Sequence, residues 1–233
     1  MNDTCDSRPS LSGLHGRRKG KKLRSFHAQL MTHLLPELSV DTSRPFVVAE
    51  TRAADATSDL WLEIGFGGGE HLAAQARAHP EIQFIGCEPF VNGVAKLLAE
   101  IDAAGLRNIS VHADDATKLL DQLATGSVSR IYLLFPDPWP KRRHKKRRFF
   151  SETNLRALAR VLKDGAELRF ATDIDDYAGW ALSRVLKSAD FRWAAVHSAD
   201  WAEPWPDHHT TRYEQKGTAA GRKSVYLTFV RNG

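Results

Sequence analysis

The segment LWLEIGFGGGE, residues 60–70, indicates the architecture of the chain. A short apolar run ends at Ile64, which is typical of a buried strand, and glycines at 65, 67 and 69 follow before a helix-like stretch begins. Similar strand-then-helix units recur downstream. We predict strands over 60–64, 82–87, 109–113, 131–135 and 167–172, and helices after them over 70–77, 91–104, 116–123, 154–162 and 177–186. Two last strands, 192–197 and 225–230, are predicted without a helix between them.

This alternation predicts an α/β fold with a mostly parallel sheet and helices on both of its faces. The two last strands would form a hairpin that places an antiparallel strand in the sheet. We expect three regions: a flexible basic arm over 1–24, an N-terminal helix and connector over 25–57, and the α/β domain over 58–233. The N-terminal helix is predicted to be capped by Ser25 and to end before Pro36.

The positive charge is segregated into two short segments. Residues 8–24 and 141–148 each hold seven of the 33 Lys and Arg residues, and the other 19 are outnumbered by the 28 Asp and Glu residues. Ordinary solubility does not require such segregation, whereas contact with a phosphate backbone at two patches would. A solvated lysine-rich tail is the alternative interpretation of the first segment.

Composition excludes several classes. No apolar run is long enough to cross a bilayer, and the polar N-terminus has no secretory h-region. Cys5 and Cys87 form no C-x-x-C pair, and the adjacent histidines of Asp207-His208-His209 lack helical metal-site spacing. We therefore expect a cytoplasmic protein with no metal and no membrane partner. We also expect a monomer or a homodimer, although nothing in the composition selects between them.

Acidic residues follow three consecutive predicted strands, where ligands bind in folds of this kind. Glu63 precedes the glycine loop, Glu88 follows the second strand, and Asp114 and Asp115 follow the third. Glu88 could accept hydrogen bonds from ribose hydroxyls, and the acid after the third strand could accept one from an adenine amine. Carboxylates beside a helix N-terminus would repel a pyrophosphate but suit S-adenosyl-L-methionine, a phosphate-free cation. Each acid alone could equally be a helix cap or a solvated residue.

The fourth strand leads into a stiff turn, Pro136-Asp137-Pro138-Trp139-Pro140, and then into the basic run. The three prolines fix φ at alternate positions and present Asp137 beside the predicted cofactor site. A carboxylate held there could accept hydrogen bonds from the Watson–Crick edge of guanine, and Trp139 offers a stacking surface. A structural turn followed by a solvated basic helix is the alternative.

These motifs resemble those of the bacterial tRNA (guanine-N7)-methyltransferases. The resemblance covers roughly residues 58–230 and rests on EIGFGGG, GCEPFVNGV, LFPDPWPKRRHKKRR and TRYEQKGTAAGRKSVYLTF. It implies a Rossmann-like class I methyltransferase fold with a seven-stranded sheet. It also implies methylation of N7 of guanine at position 46, in the variable loop of tRNA, with S-adenosyl-L-methionine as methyl donor. Tyr213, Asp114 and Glu70 depart from the usual pattern.

The resemblance also implies a role for individual residues. Asp137 would be the catalytic acid and would also count among the cofactor ligands; the others are Glu63, Gly65, Gly67, Glu88 and Asp115. Substrate contacts would come from Lys141, Asp173, Thr211, Arg212, Tyr213 and Glu214. The RNA would be bound by Arg143, His144, Lys145, Lys146, Arg147 and Arg148.

Two other functions remain open at the level of sequence. One is an amino-group methyltransferase acting on adenine or cytosine, whose proline-containing turn follows the same strand. The other is a non-enzymatic RNA-binding protein on a Rossmann-like scaffold, against which the intact glycines and acids argue.

Overall fold

The computed structural model describes residues 16–41 and 59–233, and within them seven strands form one sheet. Their order is β3-β2-β1-β4-β5-β7-β6. Strand β7 runs antiparallel to both of its neighbours, and the pairs among β1 to β5 are parallel. The strands are β1 (Leu60–Ile64), β2 (Gln83–Cys87), β3 (Ile109–His112), β4 (Val128–Leu134), β5 (Leu162–Thr172), β6 (Phe191–Trp193) and β7 (Val225–Arg231).

Helices cover both faces of the sheet, as predicted, because alternate strand side chains point to opposite sides. The helices are α1 (Ser25–Leu38), α2 (Glu70–Ala78), α3 (Val91–Ala104), α4 (Ala116–Gln122), α5 (Glu152–Val161), α6 (Asp175–Val185), α7 (Ala199–Ala202) and α8 (Arg212–Ala219), with a 3₁₀ helix over Arg142–Arg147. Leu60, Leu62 and Ile64 of β1 lie in one apolar core with α4, α5 and α6, whereas Trp61 lies in a second core with α1, α2 and α3.

The connection between the last two strands was predicted wrongly, because it contains α7 and α8. Helix α8 has little apolar periodicity, which is why a hydrophobic pattern does not reveal it. It is defined by a capping box, in which the Thr211 hydroxyl accepts from the Glu214 N–H and the Glu214 carboxylate accepts from the Thr211 N–H. The T-x-x-E spacing was the signal in the sequence.

The end of α1 was also predicted wrongly. The helix continues through Pro36 to Leu38, and its N-cap is Arg24 rather than Ser25. Pro36 cannot donate to the carbonyl of Thr32, one turn earlier, but Thr32 is solvent-exposed, so water can satisfy that carbonyl. The Ser39 hydroxyl donates to the Leu35 carbonyl and closes the last turn.

Residues 16–24 run along the N-terminus of α3. The Val91 N–H donates to the Arg18 carbonyl at 3.0 Å, and the Asn92 side chain bonds Gly20 and Lys21. The remainder of the predicted arm, including Cys5, and most of the predicted connector lie outside the described residues. The division of the chain into three regions stays a prediction. None of the helices in the described part of the chain combines the length and the apolar character needed to span a membrane.

Candidate active site

A cavity of about 490 Å³ opens at the carboxyl ends of β1, β2 and β4. The strand order reverses between β1 and β4, so the cavity lies at the switch point where ligands bind in sheets of this kind. Seven of the predicted site residues line it together: Gly65, Gly67, Glu88, Asp137, Arg147, Asp173 and Tyr213. The sheet therefore brings motifs that are up to 148 positions apart in sequence to one surface.

The glycine loop forms one wall of the cavity. Gly65 and Gly67 have φ angles of 74° and 59°, which side chains rarely adopt. A Cβ on Gly67 would lie 2.9 Å from the Tyr213 ring, whereas nothing lies within 4 Å of the position of a Cβ on Gly65. Because Gly67 has no side chain, the Tyr213 ring can approach the loop. Because Gly65 has none, space remains for a ligand against the backbone.

Glu88 presents a buried carboxylate to the same space. Its oxygens accept from the Gly67 N–H at 2.8 Å and the Phe90 N–H at 2.9 Å. Burial raises the pKa of Glu88, and the nearby charge of Asp137 adds to that rise. Because each carboxylate oxygen has a second acceptor position, Glu88 can still accept hydrogen bonds from two hydroxyl groups of a ligand.

We expect Glu88→Gln to weaken binding of S-adenosylhomocysteine by roughly tenfold or more. The substitution removes the charge from hydrogen bonds worth about 1.5–3 kcal/mol each. Isothermal titration calorimetry measures the change. Glu100→Gln, on the exposed face of α3, is the matched control and should bind like the wild type. Equal affinities for both variants would contradict the assignment of Glu88.

Glu63 and Asp115 are buried but are not part of the cavity lining. The Glu63 carboxylate bonds His71 Nδ1 at 2.8 Å. Asp115 caps α4, where its carboxylate accepts from the N–H and the hydroxyl of Thr117, both at 3.0 Å. Both carboxylates thus support the loops that follow β1 and β3, and their contact with a cofactor stays a prediction.

The proline-rich turn forms the opposite wall. Phe135 and Trp139, on either side of Asp137, have φ angles of 47° and 44°, a conformation that costs non-glycine residues about 1–2 kcal/mol each. Burial raises the pKa of Asp137. Such strain persists only where surrounding contacts hold the backbone, and it is concentrated at functional sites.

Arg148 supplies one of those contacts, and its prediction as an RNA ligand needs correction. Its side chain has no exposed surface. The guanidinium donates to the Pro138 carbonyl at 2.8 Å, pairs with Asp176, and lies 4.7 Å from the Tyr177 ring centroid. A group enclosed in this way cannot reach a polynucleotide. It anchors the turn that carries Asp137.

Most other members of the basic run lie on the 3₁₀ helix that follows the turn. Arg147 lines the cavity and stacks over Trp139 at 4.7 Å, and the His144 ring meets the edge of the same indole. Lys145 pairs with Asp176 at 2.6 Å. The most exposed basic residues of this region are Lys141, Arg142, Arg143 and Lys146.

Helix α8 and the loop after β5 close the site. Tyr213 lines the cavity, but Thr211 and Glu214 point away from it into a buried cluster. Burial raises the pKa of Glu214, but hydrogen bonds from His208 and Tyr226 outweigh that effect, so its pKa lies below the ordinary value. Arg212 lies 3.5 Å from Glu70.

The cavity lining also includes residues that were absent from the predicted site, among them Gly16, Arg17, Lys216 and Arg222. Lys216 follows the T-x-x-E spacing by two positions, so the motif could have revealed it. Arg222 bonds Asp173 at 2.7 Å, a contact across 49 positions that no local pattern encodes. A Cβ on Gly217 would collide with Asp173, so this glycine allows α8 to approach the loop after β5.

Two of the residues considered as metal ligands in the Asp207-His208-His209 segment already bond other side chains. Asp207 pairs with Arg169 at 2.6 Å and Arg130 at 3.1 Å, while His208 bonds Glu214 at 2.7 Å. Within residues 16–41 and 59–233, no group of three or more His, Cys, Asp or Glu side chains is arranged to hold a metal ion.

The family model and similar curated proteins both indicate a methyltransferase. Residues 57–227 match the model of a family described as putative methyltransferase. A tRNA (guanine-N(7)-)-methyltransferase of Rhodopseudomonas palustris (strain BisA53) is 51% identical over 219 residues, which cover 93% of this chain and 87% of that protein. One of Bradyrhizobium diazoefficiens is 52% identical over 218 residues, which cover 93% of this chain and 92% of that protein.

Solved structures support the fold. An rRNA methylase from Streptococcus thermophilus has a TM-score of 0.52 at 11% identity and covers 78% of this chain and 92% of that one. The 16S rRNA methyltransferase KamB has a TM-score of 0.54 at 18% identity and covers 82% and 96%. At such identities the likeness concerns the fold alone, which is the Rossmann-like class I methyltransferase fold predicted from the sequence.

Proposed function

Because the chain belongs to the tRNA (guanine-N(7)-)-methyltransferase family, we propose that its cleft methylates N7 of guanine in tRNA, at position 46 of the variable loop. S-adenosyl-L-methionine is the methyl donor in this family of enzymes, and it supplies an electrophilic methyl group on a sulfonium cation. The observation that carries the proposal is Asp137, whose carboxylate stands in a strained turn and faces the same cavity as the glycine loop and Glu88.

The residues present fit this donor. The open backbone at Gly65 admits an adenosyl group, and Glu88 has acceptor positions for ribose hydroxyls. Carboxylates of Asp137 and Asp173 line the cavity and suit a cationic group. We keep Glu63 and Asp115 as proposed cofactor ligands that would act after adjustment of their loops.

Methylation of guanine N7 does not require a general base. Guanine N7 is an unprotonated lone pair, so no residue has to remove a proton before methylation. The chain contributes by orienting the base, since proximity and alignment can supply about 7–11 kcal/mol. Asp137 would accept from the Watson–Crick edge of guanine. With Asp173 it would also stabilise the positive charge that develops on the methylated ring.

Mapping of the modified nucleotide tests the proposal. Unmodified tRNA transcript incubated with the protein and methyl-labelled donor should gain one methyl group at N7 of guanine 46. A transcript with adenine at that position should gain none. A label on an adenine or cytosine amino group would identify an amino-group methyltransferase instead. Absence of any transfer, together with no thermal shift on addition of S-adenosylhomocysteine, would leave only RNA binding.

We propose that the exposed basic residues beside the cavity bind tRNA phosphates. Arg143→Gln with Lys146→Gln should weaken tRNA binding and flatten its salt dependence by roughly 0.7–0.9 in log–log slope for each phosphate that is no longer neutralised. Filter binding at several salt concentrations measures the slope. Lys187→Gln with Arg192→Gln removes the same charge from exposed positions near β6 and should leave the slope unchanged.

We also propose a cytoplasmic location for the protein, which a tRNA substrate supports. The contact of residues 16–24 with α3, together with Gly16 and Arg17 in the cavity lining, supports a role for the basic arm at the RNA-binding side of the site. We retain a monomer or a homodimer as the expected oligomeric state.

A further inference from the structure

A chain of buried polar side chains runs beneath the site from β1 to β7. Glu63 on β1 bonds His71 Nδ1 at 2.8 Å, and Glu214 on α8 bonds His208 Nε2 at 2.7 Å and the Tyr226 hydroxyl. The two imidazole rings lie between the carboxylates with their centroids 5.6 Å apart. The network thus extends from the strand that precedes the glycine loop to the helix that carries Tyr213.

Three atoms in the middle of this chain are buried and have no hydrogen-bonding partner among the described residues: His71 Nε2, His208 Nδ1 and Gln75 Oε1. His71 and Gln75 are 1% and 3% exposed, and the His208 side chain is 2% exposed. They are neighbours, because His71 and Gln75 are one turn apart on α2 and the Gln75 amide donates to the carbonyl of Asp207. An unsatisfied buried polar atom costs about 1–3 kcal/mol, so an orphaned nitrogen on each of two neighbouring rings points to a donor that serves both.

Water is the partner that fits. Buried waters typically make about three hydrogen bonds to polar groups that lack other partners. Each imidazole bonds a carboxylate through one nitrogen and has its other nitrogen buried without a partner among the described residues, where a neutral ring offers an acceptor. A water has two donor hydrogens, which is enough to satisfy one acceptor nitrogen on each ring.

We propose that an internal water donates to His71 Nε2 and to His208 Nδ1, and that this histidine bridge couples cofactor binding to tRNA binding. The inference rests on the proposed function. A ligand bound against the glycine loop would hold Glu63 and His71 in one position. Through the bridge, His208 and Glu214 would then also be held, and with them the turn that presents Tyr213. By linkage, S-adenosylhomocysteine should tighten tRNA binding, and tRNA should tighten S-adenosylhomocysteine binding by the same factor.

Two substitutions cut the bridge without removing the bonds at its ends. His71→Asn places an amide N–H close to the position of Nδ1 and keeps the bond to Glu63. His208→Gln places one close to the position of Nε2 and keeps the bond to Glu214. Neither presents the second ring nitrogen. His79→Gln is the matched control, because His79 ends the same helix but contacts Glu81 and Trp61 outside the network.

The experiment measures the dissociation constant of unmodified tRNA with and without saturating S-adenosylhomocysteine. We expect the product to tighten tRNA binding about tenfold in the wild type and in His79→Gln, and less than twofold in His71→Asn and in His208→Gln. The double variant should lose no more than either single variant, since both remove one link. Affinity for S-adenosylhomocysteine alone and the melting temperature should stay near the wild-type values.

A wild-type ratio retained in either bridge variant would overturn the inference, as would a ratio of one in a wild-type protein that transfers methyl groups. That second result would leave the proposed function intact. A wild-type protein that binds tRNA but transfers no methyl group would overturn the proposed function instead, so the two failures are distinguishable. Because the bridge can be cut from either end, one folded variant suffices for the test.

Discussion

Asp137→Asn should lower kcat/KM for methyl transfer to tRNA by roughly 100- to 1,000-fold. The variant keeps the size of the side chain but removes the charge that would stabilise the positively charged product ring, and loss of one such electrostatic group typically costs this much. It also replaces one of the two acceptor oxygens that face the guanine N–H groups by an NH2 group, which only donates. Steady-state assays with labelled methyl donor measure the effect.

The same variant should melt at a higher temperature than the wild type near neutral pH. Partial desolvation raises the pKa of Asp137 above its unfolded value, so at a pH above the raised pKa the ionised carboxylate destabilises the folded state. The neutral asparagine avoids this cost, and the advantage should disappear as pH falls and the wild-type carboxyl becomes protonated. Wild-type activity should fall over the same pH range, because protonation removes the charge of Asp137.

Asp121→Asn is the matched control for both measurements. Asp121 lies exposed near the end of α4 and is not part of the cavity lining. It should match the wild type in kcat/KM and melting temperature. An Asp137→Asn enzyme with wild-type kcat/KM would remove Asp137 from the catalytic role.

Arg148→Met should lower the free energy of unfolding by about 3 kcal/mol, because it removes a buried charge that pairs with Asp176 and donates to the Pro138 carbonyl. For a chain of this size the melting temperature should fall by about 6–12 °C. Below the melting temperature kcat should also fall, since the strained turn around Asp137 loses an anchor. Calorimetry and single-turnover assays separate these effects.

Arg143→Met is the control for charge alone. Arg143 is exposed on the 3₁₀ helix, so its removal should weaken tRNA binding and leave the melting temperature within about 2 °C of the wild type. If Arg148→Met behaved like Arg143→Met, the buried arginine would not be the anchor of the turn.

The sequence predicted the fold well because the relevant signals are local and repeated. Each strand of the parallel half is an apolar run bounded by glycine, proline or acidic residues, and the α3 helix was predicted with its observed bounds. Since carboxyl ends of parallel strands meet at one edge, the strand pattern alone was enough to predict that Glu88 and Asp137 lie together. The cavity confirms that placement.

The errors at the site share one physical origin, which is contact between distant segments. Arg148 resembles its basic neighbours in sequence, and only its packing against α6 shows that it is buried. Glu63 and Glu214 belong to recognisable motifs, but histidines 8 and 6 positions away bind their carboxylates. Pattern analysis identifies which residues gather at a site, whereas their individual orientations depend on tertiary neighbours.

The prolines of the turn from 136 to 140 have a consequence for ligand discrimination. Only Asp137 and Trp139 in those five residues carry a backbone amide proton, so this wall of the cleft is rich in lone pairs and poor in donors. An anion needs converging N–H groups, as at the phosphate loops of nucleotide-binding proteins, and would find few here. We therefore expect this wall to disfavour binding of pyrophosphate-bearing nucleotides that share the adenosyl moiety. The absence of three backbone N–H groups would thus contribute to selection of the correct small molecule.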